Sequence, residues 1–223
     1  MGGTPNEDAL HAADQRELER FRGIGQLTNH WAHPPAPRSY YWYLTFEDAT
    51  EVHAIAGRCQ TAITFSYYDL TPLEKLHLTL GRVAFENDMT PDLIGAIEAS
   101  AVRACGSIRP LDITVSSLGG TSGAVGFTAS PSQPILHLRE ALRDATLTAY
   151  PDVPASNSAF HPHVTIAYSN SDGVLAADII SAVEKLTEAN RAHVTIKDVA
   201  LVLLERRQRL YAWQPILRIP LGG

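Results

Sequence analysis

The sequence predicts an α+β protein made of two related lobes. Helical and strand-like segments alternate along both halves of the chain, and each half contains at least one strand-like segment with a histidine and a threonine two residues apart. The 223 residues suffice for one large domain or for two small lobes that share a core. We therefore expect two halves of similar architecture, each with one histidine strand.

The N-terminal part of the chain is predicted to be helical and then irregular. Residues 6–24 place apolar side chains at helical spacing, and the proline run from Pro34 to Pro37 stops regular structure. We assign residues 1–37 to an N-terminal helical extension with a proline-rich linker. Residues 38–223 are assigned to a single bilobal domain.

The first half of this domain is predicted to contain three strands and two helices. Aromatic and β-branched residues favour the strands, and Thr90-Pro91-Asp92 is a typical helix start. The predicted segments are a strand at 40–46, a helix at 48–62, strands at 62–68 and 76–84, and a helix from residue 90 to about 104.

The second half repeats these parts. The segments 110–117 and 123–129 predict a hairpin with its turn at Gly119–Gly123. The other predicted elements are a helix from about 130 to 150, a strand at 159–168, a helix at 174–189, and strands at 192–204 and 209–219. The last turn contains Arg206, Arg207 and Arg209, and we interpret it as a solvated hairpin turn.

Composition and charge exclude several classes of protein. No apolar run approaches the ~20 residues that span a membrane, and the first residues lack the basic and apolar regions of a secretory signal. The formal net charge of −6 argues against broad electrostatic binding to long nucleic acid. Cys59 and Cys105 form no CxxC pair, which favours reduced thiols and a cytoplasmic location.

Two short histidine segments carry most of the functional information. They are His77-Leu-Thr79-Leu and His163-Val-Thr165-Ile. Side chains alternate between the two faces of a strand, so each histidine points the same way as its threonine. Each segment therefore presents an imidazole and a hydroxyl on one face and buries aliphatic residues on the other.

A third segment, His193-Val-Thr195-Ile, has the same pattern but a different context. In the first two segments the next residue on the His/Thr face is small, Gly81 or Ala167, which leaves room for a ligand. In the third segment that residue is the bulky Lys197. We therefore interpret His193 as structural and pair the first two segments.

Two facing imidazoles suit the cleavage of a phosphodiester. Histidine titrates near neutrality, so one ring can remove a proton from a nucleophile while the other donates one to a leaving group. Threonine hydroxyls can donate hydrogen bonds to the non-bridging oxygens of a phosphate held between the rings. This chemistry requires no metal and no cofactor, and a strained 2′,3′-cyclic phosphodiester suits it well.

The paired motifs resemble those of the 2H (two-histidine) phosphoesterase superfamily, whose signature is a pair of His-x-Thr/Ser-x segments with hydrophobic x. The resemblance covers roughly residues 38–220 and is nearest to the bacterial 2′-5′ RNA ligase / RNA 2′,3′-cyclic phosphodiesterase branch. It implies a bilobal α+β fold with two pseudo-symmetric, mostly antiparallel sheets, flanking helices and a central cleft. It further implies that His77 and His163 are the catalytic pair and that Thr79 and Thr165 bind phosphate.

One departure from that branch concerns the residue after the second motif. Many relatives carry an arginine there, where this chain has Tyr168. We retain Tyr168 as a candidate substrate-binding residue and add Arg82, which follows the first motif and can compensate for the missing guanidinium.

Several aromatic residues allow two interpretations. Tyr41 and Tyr43 share a strand face and can stack on nucleobases or serve in packing. Tyr211 and Trp213 form a similar pair, for which we favour core or edge packing. His161-Pro-His163 offers two metal ligands without an evident third, so we predict no metal site.

The expected partner is a phosphate-containing small molecule or a short RNA end. Two other functions stay open at this point. The first is a nucleotide- or RNA-end-binding protein on the same fold with little turnover, and the second is an enzyme that uses the two histidines on a different substrate.

Overall fold

The computed structural model describes residues 7–155, 160–186 and 190–222, with side chains from residue 15 onward. Within these ranges the helices are α1 Glu7–Arg22, α2 Thr50–Ala62, α3 Pro91–Cys105, α4 Ser132–Ala149 and α5 Ala177–Glu184. The strands are β1 Ser39–Thr45, β2 Tyr68–Leu70, β3 His77–Phe85, β4 Leu111–Thr121, β5 Ala124–Ser130, β6 His163–Ser169, β7 Ala192–Ile196, β8 Asp198–Arg207 and β9 Leu210–Pro220.

The strands form two antiparallel sheets. The first sheet has four strands in the order β3-β1-β8-β9, and the second has five in the order β2-β6-β5-β4-β7. Each sheet contains one motif strand, because β3 begins at His77 and β6 begins at His163. The predicted α+β class with two mostly antiparallel sheets and flanking helices is confirmed.

Both motif strands alternate as their sequences predict. Leu78 and Leu80 are 0 % and 2 % exposed, and Val164 and Ile166 are fully buried. These aliphatic side chains anchor the reverse face of each strand in the core, and that burial is the main favourable term that fixes the register. The histidines and threonines are left on the opposite face, which is the face that bounds the cleft.

The N-terminal helix packs into the same core as the sheets. Leu18 and Phe21 of α1 belong to the main hydrophobic cluster, and α1 lies against β4. The backbone of Glu17 lies 3.4 Å from where a side chain on Gly119 would begin, so glycine permits this close approach. The division of the chain after residue 37 stays a prediction, although residues on both sides of it share one core.

Three predicted elements were wrong in their extent. The segment 192–204 is not one strand, because the chain changes sheets at Lys197 between β7 and β8. The segment 62–68 is mostly irregular. Ile63 is the buried C-cap residue of α2, and strand pairing begins only at Tyr68, the first residue of β2. The glycines Gly119 and Gly120 lie inside β4, and the hairpin turns at residues 122–123.

The remaining predicted elements are present with small shifts of their ends. Thr90 caps α3 by accepting a hydrogen bond from the backbone N–H of Leu93 at 3.2 Å, as its sequence context predicts. The predicted helix 174–189 is shorter, since α5 ends at Glu184. Residues 187–189 lie outside the described part of the chain.

Candidate active site

The two motif strands contribute to a single cavity of about 340 Å³. Both sheets and the loop after α1 form its walls. The lining residues are His30, Tyr41, Tyr43, His77, Thr79, Thr121, Ala124, His163, Thr165, Tyr168, Leu204 and Tyr211. The structure thus brings together every site residue predicted from the sequence except Arg82.

The His77 ring is held by three neighbouring groups. Its Nδ1 atom lies 2.8 Å from the carbonyl oxygen of Lys75. A carbonyl oxygen only accepts, so Nδ1 carries a proton and Nε2 is the nitrogen left for chemistry. The ring stacks on Tyr43 with centroids 4.1 Å apart and 7° between the planes, and Trp213 meets it edge-on at 6.1 Å.

The His163 ring is held by the same type of contact. Its Nδ1 atom lies 2.7 Å from the carbonyl oxygen of His161, again two residues earlier in the chain. Nδ1 therefore donates and Nε2 is left for chemistry here also. His163 differs from His77 in its surroundings, because His163 is exposed whereas His77 is partly buried.

Burial gives His77 an unusual electrostatic state. Desolvation lowers the pKa of His77 from 6.5 to about 4, the hydrogen bond to the Lys75 carbonyl opposes this shift, and the charge of His163 adds to it. A ring with this pKa is neutral at pH 7. His77 therefore offers an unprotonated Nε2 atom, which is the form that a general base requires.

A tyrosine accompanies the threonine of each motif. Tyr43 lies opposite Thr79 in the sheet, and the Thr79 side chain opposes the effect of burial on the pKa of Tyr43. The Thr165 side chain has the same effect on the pKa of Tyr168. Burial raises the pKa of both tyrosines well above the ordinary value, so both stay protonated at neutral pH. Each motif thus brings two neutral hydroxyl groups to the cavity.

An aromatic cluster forms one wall of the cavity. His30 lies 4.2 Å from Tyr168 and 4.7 Å from Trp31 between ring centroids, and its Nε2 atom is 2.8 Å from the Tyr211 hydroxyl. Burial and then the positive charge of Arg206 lower the pKa of His30, which favours its neutral form. His30 therefore adds a third imidazole to the cavity.

This wall is attached to both sheets. The backbone N–H of His30 donates to Ser169 of β6 at 2.9 Å, and the Trp31 indole donates to Asp69 of β2 at 3.0 Å. From the first sheet, Arg206 of β8 donates to the carbonyls of Trp31 at 2.6 Å and His33 at 2.5 Å. The interpretation of Arg206 as part of a solvated turn was therefore wrong, because these carbonyls bind its guanidinium.

Arg82 lies outside the cavity lining. It occupies a neighbouring pocket beside Gly81, and its guanidinium is 4.7 Å from the centre of the Phe85 ring. Two register shifts in the pairing of β1 with β3 flank this position, and they place Arg82 opposite Tyr41. Because Tyr41 lines the cavity, Arg82 stands at its border.

The third histidine segment lies away from the cavity. His193 is on β7, an edge strand of the second sheet, and its Nδ1 atom is 3.0 Å from the Thr114 hydroxyl. The Thr195 hydroxyl donates to Asp112 at 2.6 Å. These contacts agree with the interpretation of this segment as structural.

Sequence reasoning missed His30 as a site residue and favoured packing for Tyr211. The proline-rich loop gave no periodic signal for His30, and its position depends on contacts with β2, β6 and β8. Tyr211 and Trp213 share one face of β9, as a packing pair would. Trp213 does pack, since it is only 4 % exposed. The position of Tyr211 next to the arginine-rich turn was the local feature that could have indicated a site residue.

The described residues contain neither a metal-binding cluster nor a membrane-spanning helix. No group of three or more His, Cys, Asp or Glu side chains is arranged to hold a metal ion among them. Within the same ranges, no helix is long and apolar enough to cross a membrane.

Several solved structures share this fold. The protein TT0787 of Thermus thermophilus superposes with a TM-score of 0.64 at 19% identity, covering 83% of this chain and 98% of that chain. LigT of E. coli, solved in complex with 3′-AMP, gives a TM-score of 0.63 at 16% identity over 84% of this chain and 100% of that chain. ATU0111, a conserved protein of unknown function from Agrobacterium tumefaciens, gives a TM-score of 0.56 at 12% identity, covering 88% of this chain and 91% of that chain.

Sequence comparisons define the family. A search of curated proteins finds no match to this chain. The family model of the 2′-5′ RNA ligase superfamily matches residues 46–208, which include both paired motifs and most of the chain. Together with the shared fold, this match confirms the resemblance: the chain belongs to the 2′-5′ RNA ligase superfamily of 2H phosphoesterases.

Proposed function

We propose that this protein is a metal-independent phosphodiesterase that cleaves a 2′,3′-cyclic phosphate or a 2′-5′-linked nucleotide at an RNA end. The strongest support is that two histidines in one cavity have the same hydrogen-bonding arrangement. His77 and His163 each donate Nδ1–H to the carbonyl two residues earlier, and each is left with Nε2 for the reaction. The motif threonines stand beside them.

The proposed reaction needs one base and one acid. His77 is neutral at pH 7, so its Nε2 atom accepts a proton from water as the water oxygen attacks phosphorus. The phosphorus–oxygen bond to the leaving group breaks, and protonated His163 donates its Nε2 proton to that oxygen. Exchange of protons with solvent restores both rings, and the exposure of His163 favours this exchange.

Hydroxyl groups complete the proposed phosphate site. Thr79 and Thr165 donate to the non-bridging oxygens, where negative charge is carried through the transition state. Tyr43 and Tyr168 line the same cavity as these threonines and add two neutral hydroxyl groups to it. Tyr41 offers a ring at the border of the cavity on which a base can stack. No step is assigned to Arg82 within the cavity.

The substrate class follows from the size and charge of the site. A cavity of about 340 Å³ lies at the lower end of the range for small-ligand sites, which suits a nucleotide or a short RNA end. The net charge of −6 disfavours long nucleic acid. LigT in complex with 3′-AMP is a relative that binds a ligand of this class. A cytoplasmic location stays part of the proposal.

A nucleotide-binding protein with little turnover is the second candidate. The aromatic wall of His30, Tyr168 and Tyr211 favours it, since stacked rings contribute to binding without chemistry. Tight nucleotide binding with no product after long incubation would identify this function.

The proposal is tested by a turnover screen of 2′,3′-cyclic nucleotides and 2′-5′-linked dinucleotides. We expect His77→Ala and His163→Ala each to lower kcat/KM about 10²–10⁴-fold, because each removes one proton-transfer group. His193→Ala is the matched control and should retain wild-type activity. Treatment with EDTA followed by dialysis should leave the rate unchanged. Full activity in either of the first two variants would contradict the proposal.

A further inference from the structure

A second pocket with three arginines adjoins the first motif strand. Its volume is about 240 Å³, and Trp42, Val83 and Val153 give it an apolar floor. Arg82, Arg139 and Arg143 line it together. None of the described residues that line this pocket has a carboxylate side chain.

The three arginines are partly buried, and each contacts uncharged groups. Arg143 donates to the carbonyl of Pro154 at 2.9 Å, and Arg139 donates Nε–H to the carbonyl of Leu80 at 2.8 Å. The guanidinium of Arg139 also lies 4.6 Å from the centre of the Phe160 ring. Neither Arg82 nor Arg143 forms an ion pair with any carboxylate in the described part of the chain.

Arg82 and Arg143 bring two like charges into this pocket, and an anion is the complementary ligand. Like charges repel, and partial burial weakens the screening that water provides. An arginine fork matches phosphate oxygens in geometry and charge, so a bound phosphate would relieve the repulsion and form charge-assisted hydrogen bonds. The whole chain has a formal net charge of −6, whereas the charged side chains that line this pocket are all arginines.

The pocket lies beside the catalytic cavity along the edge strand β3, and the two share no lining residue. Thr79 lines the cavity, and Leu80, Gly81 and Arg82 line the arginine pocket, so the two sites are adjacent along β3. At about 3.3 Å per residue, Thr79 and Arg82 are separated by roughly 10 Å along the strand. The Arg82 charge also acts on Tyr41 in the cavity wall. Arg139 links the end of the first motif to Phe160, three residues before His163.

We propose that Arg82, Arg139 and Arg143 form a second phosphate site, which holds a phosphodiester of the RNA chain whose terminal phosphate lies between the two histidines. The apolar floor accommodates the sugar or base attached to that phosphodiester. The inference rests on the proposed function and narrows its substrate from a free nucleotide to the end of a short oligoribonucleotide.

Substrate length is the variable that tests this site. Wild-type protein, Arg143→Gln and the exposed control Arg109→Gln are assayed with a 2′,3′-cyclic mononucleotide and with a trinucleotide that ends in a 2′,3′-cyclic phosphate. We expect a lower KM for the trinucleotide with wild type. Arg143→Gln should raise that KM about tenfold more than the KM of the mononucleotide, because it removes a charge-assisted contact. Arg109→Gln should change neither value.

Direct binding separates this inference from the proposed function. Equilibrium binding of a 3′-phosphorylated trinucleotide to His163→Ala protein needs no turnover. We expect Arg143→Gln in that background to weaken binding and to reduce the salt slope of log Kd by about 0.7, as for one single-strand phosphate contact. Arg143→Lys, which keeps the charge, should restore the salt slope, and thermal unfolding checks that each variant folds.

Three outcomes would overturn the inference. The first is equal KM values for the mononucleotide and the trinucleotide in wild type. The second is equal losses on both substrates in Arg143→Gln. The third is binding of inorganic tripolyphosphate that depends on Arg143, while the trinucleotide binds no better than the mononucleotide. This result would assign the pocket to free polyphosphate. Absence of turnover together with Arg143-dependent trinucleotide binding would reject the phosphodiesterase and support the second phosphate site.

Discussion

His77 and His163 have the same local geometry in different surroundings. Each ring donates Nδ1–H to the carbonyl two residues earlier. Each histidine is the first residue of its strand, so that carbonyl lies just before the strand begins. Tyr43 and Trp213 bury only the first ring. The two motifs, nearly identical in sequence, therefore place their histidines in different surroundings, and burial lowers the pKa of His77.

The acid limb of the pH–rate profile should report His77. Its pKa of about 4 lies below the free value of 6.5, so the neutral base persists down to about pH 4 and is lost only below it. We therefore expect kcat/KM to stay high from pH 7 to about pH 5 and to fall near pH 4. Steady-state rates across this range provide the measurement.

A variant of Tyr43 provides the comparison for that profile. Tyr43→Ala removes the stacked ring and admits water to His77, so the acid limb should move upward toward 6.5. An acid limb between pH 6 and 7 in the wild type, unmoved by Tyr43→Ala, would show that His77 is not the buried base.

At the residue scale, spacing predicted the faces but not the environments. The two-residue separation of His77 from Thr79 and of His163 from Thr165 predicted that each pair shares a face. The burial of His77 depends on Tyr43 from β1 and Trp213 from β9, which meet it only in the folded sheet. The hydrogen bond between His30 and Tyr211 joins residues 181 positions apart, and no local pattern encodes it.

At the element scale, the segment after α1 joins the two sheets at the cavity. Arg206 of β8 holds this segment from one sheet, and contacts to β2 and β6 hold it from the other. The segment carries His30 into the site. We infer that its anchors determine the shape of this wall.

Removal of the Arg206 anchor should loosen the wall and destabilise the protein. Arg206→Met breaks two charge-assisted hydrogen bonds to the carbonyls of Trp31 and His33, and we expect a loss of about 1.5–3 kcal/mol in the free energy of unfolding. Denaturant titration measures this loss, and the KM of the preferred substrate should rise with it.

The next arginine along the chain provides a matched control. Arg207 is exposed and pairs with Glu205, also on the surface, so Arg207→Met should change the free energy of unfolding by less than about 0.5 kcal/mol. Equal effects of the two substitutions would show that Arg206 has no special role in holding the segment.

Element types were more predictable than element partners. The periodicity of the chain predicted helices α1 to α5 and most of the described strands, because amphipathic patterns reflect which face is buried. It did not show that the chain crosses from the second sheet to the first at Lys197, since that residue alone separates β7 from β8. Pairing between distant strands decides that point.

At the scale of the whole molecule, two sheets bring two distant motifs to one cavity. The proposed reaction uses both motifs, since β3 supplies a partly buried imidazole and β6 supplies an exposed one. Family membership and the bilobal fold could be predicted from the paired motifs. The adjoining arginine pocket could not, since Arg82, Arg139 and Arg143 come from a strand and a helix that meet only after folding.

The central claim is that His77 and His163 act as one acid–base unit. Comparison of kcat/KM for His77→Ala, His163→Ala and the double variant on a 2′,3′-cyclic phosphate tests it most directly. Groups that act as a unit are not additive, so we predict that the double variant is about as slow as the slower single variant. Losses that multiply in the double variant, or a single variant with wild-type activity, would contradict the claim.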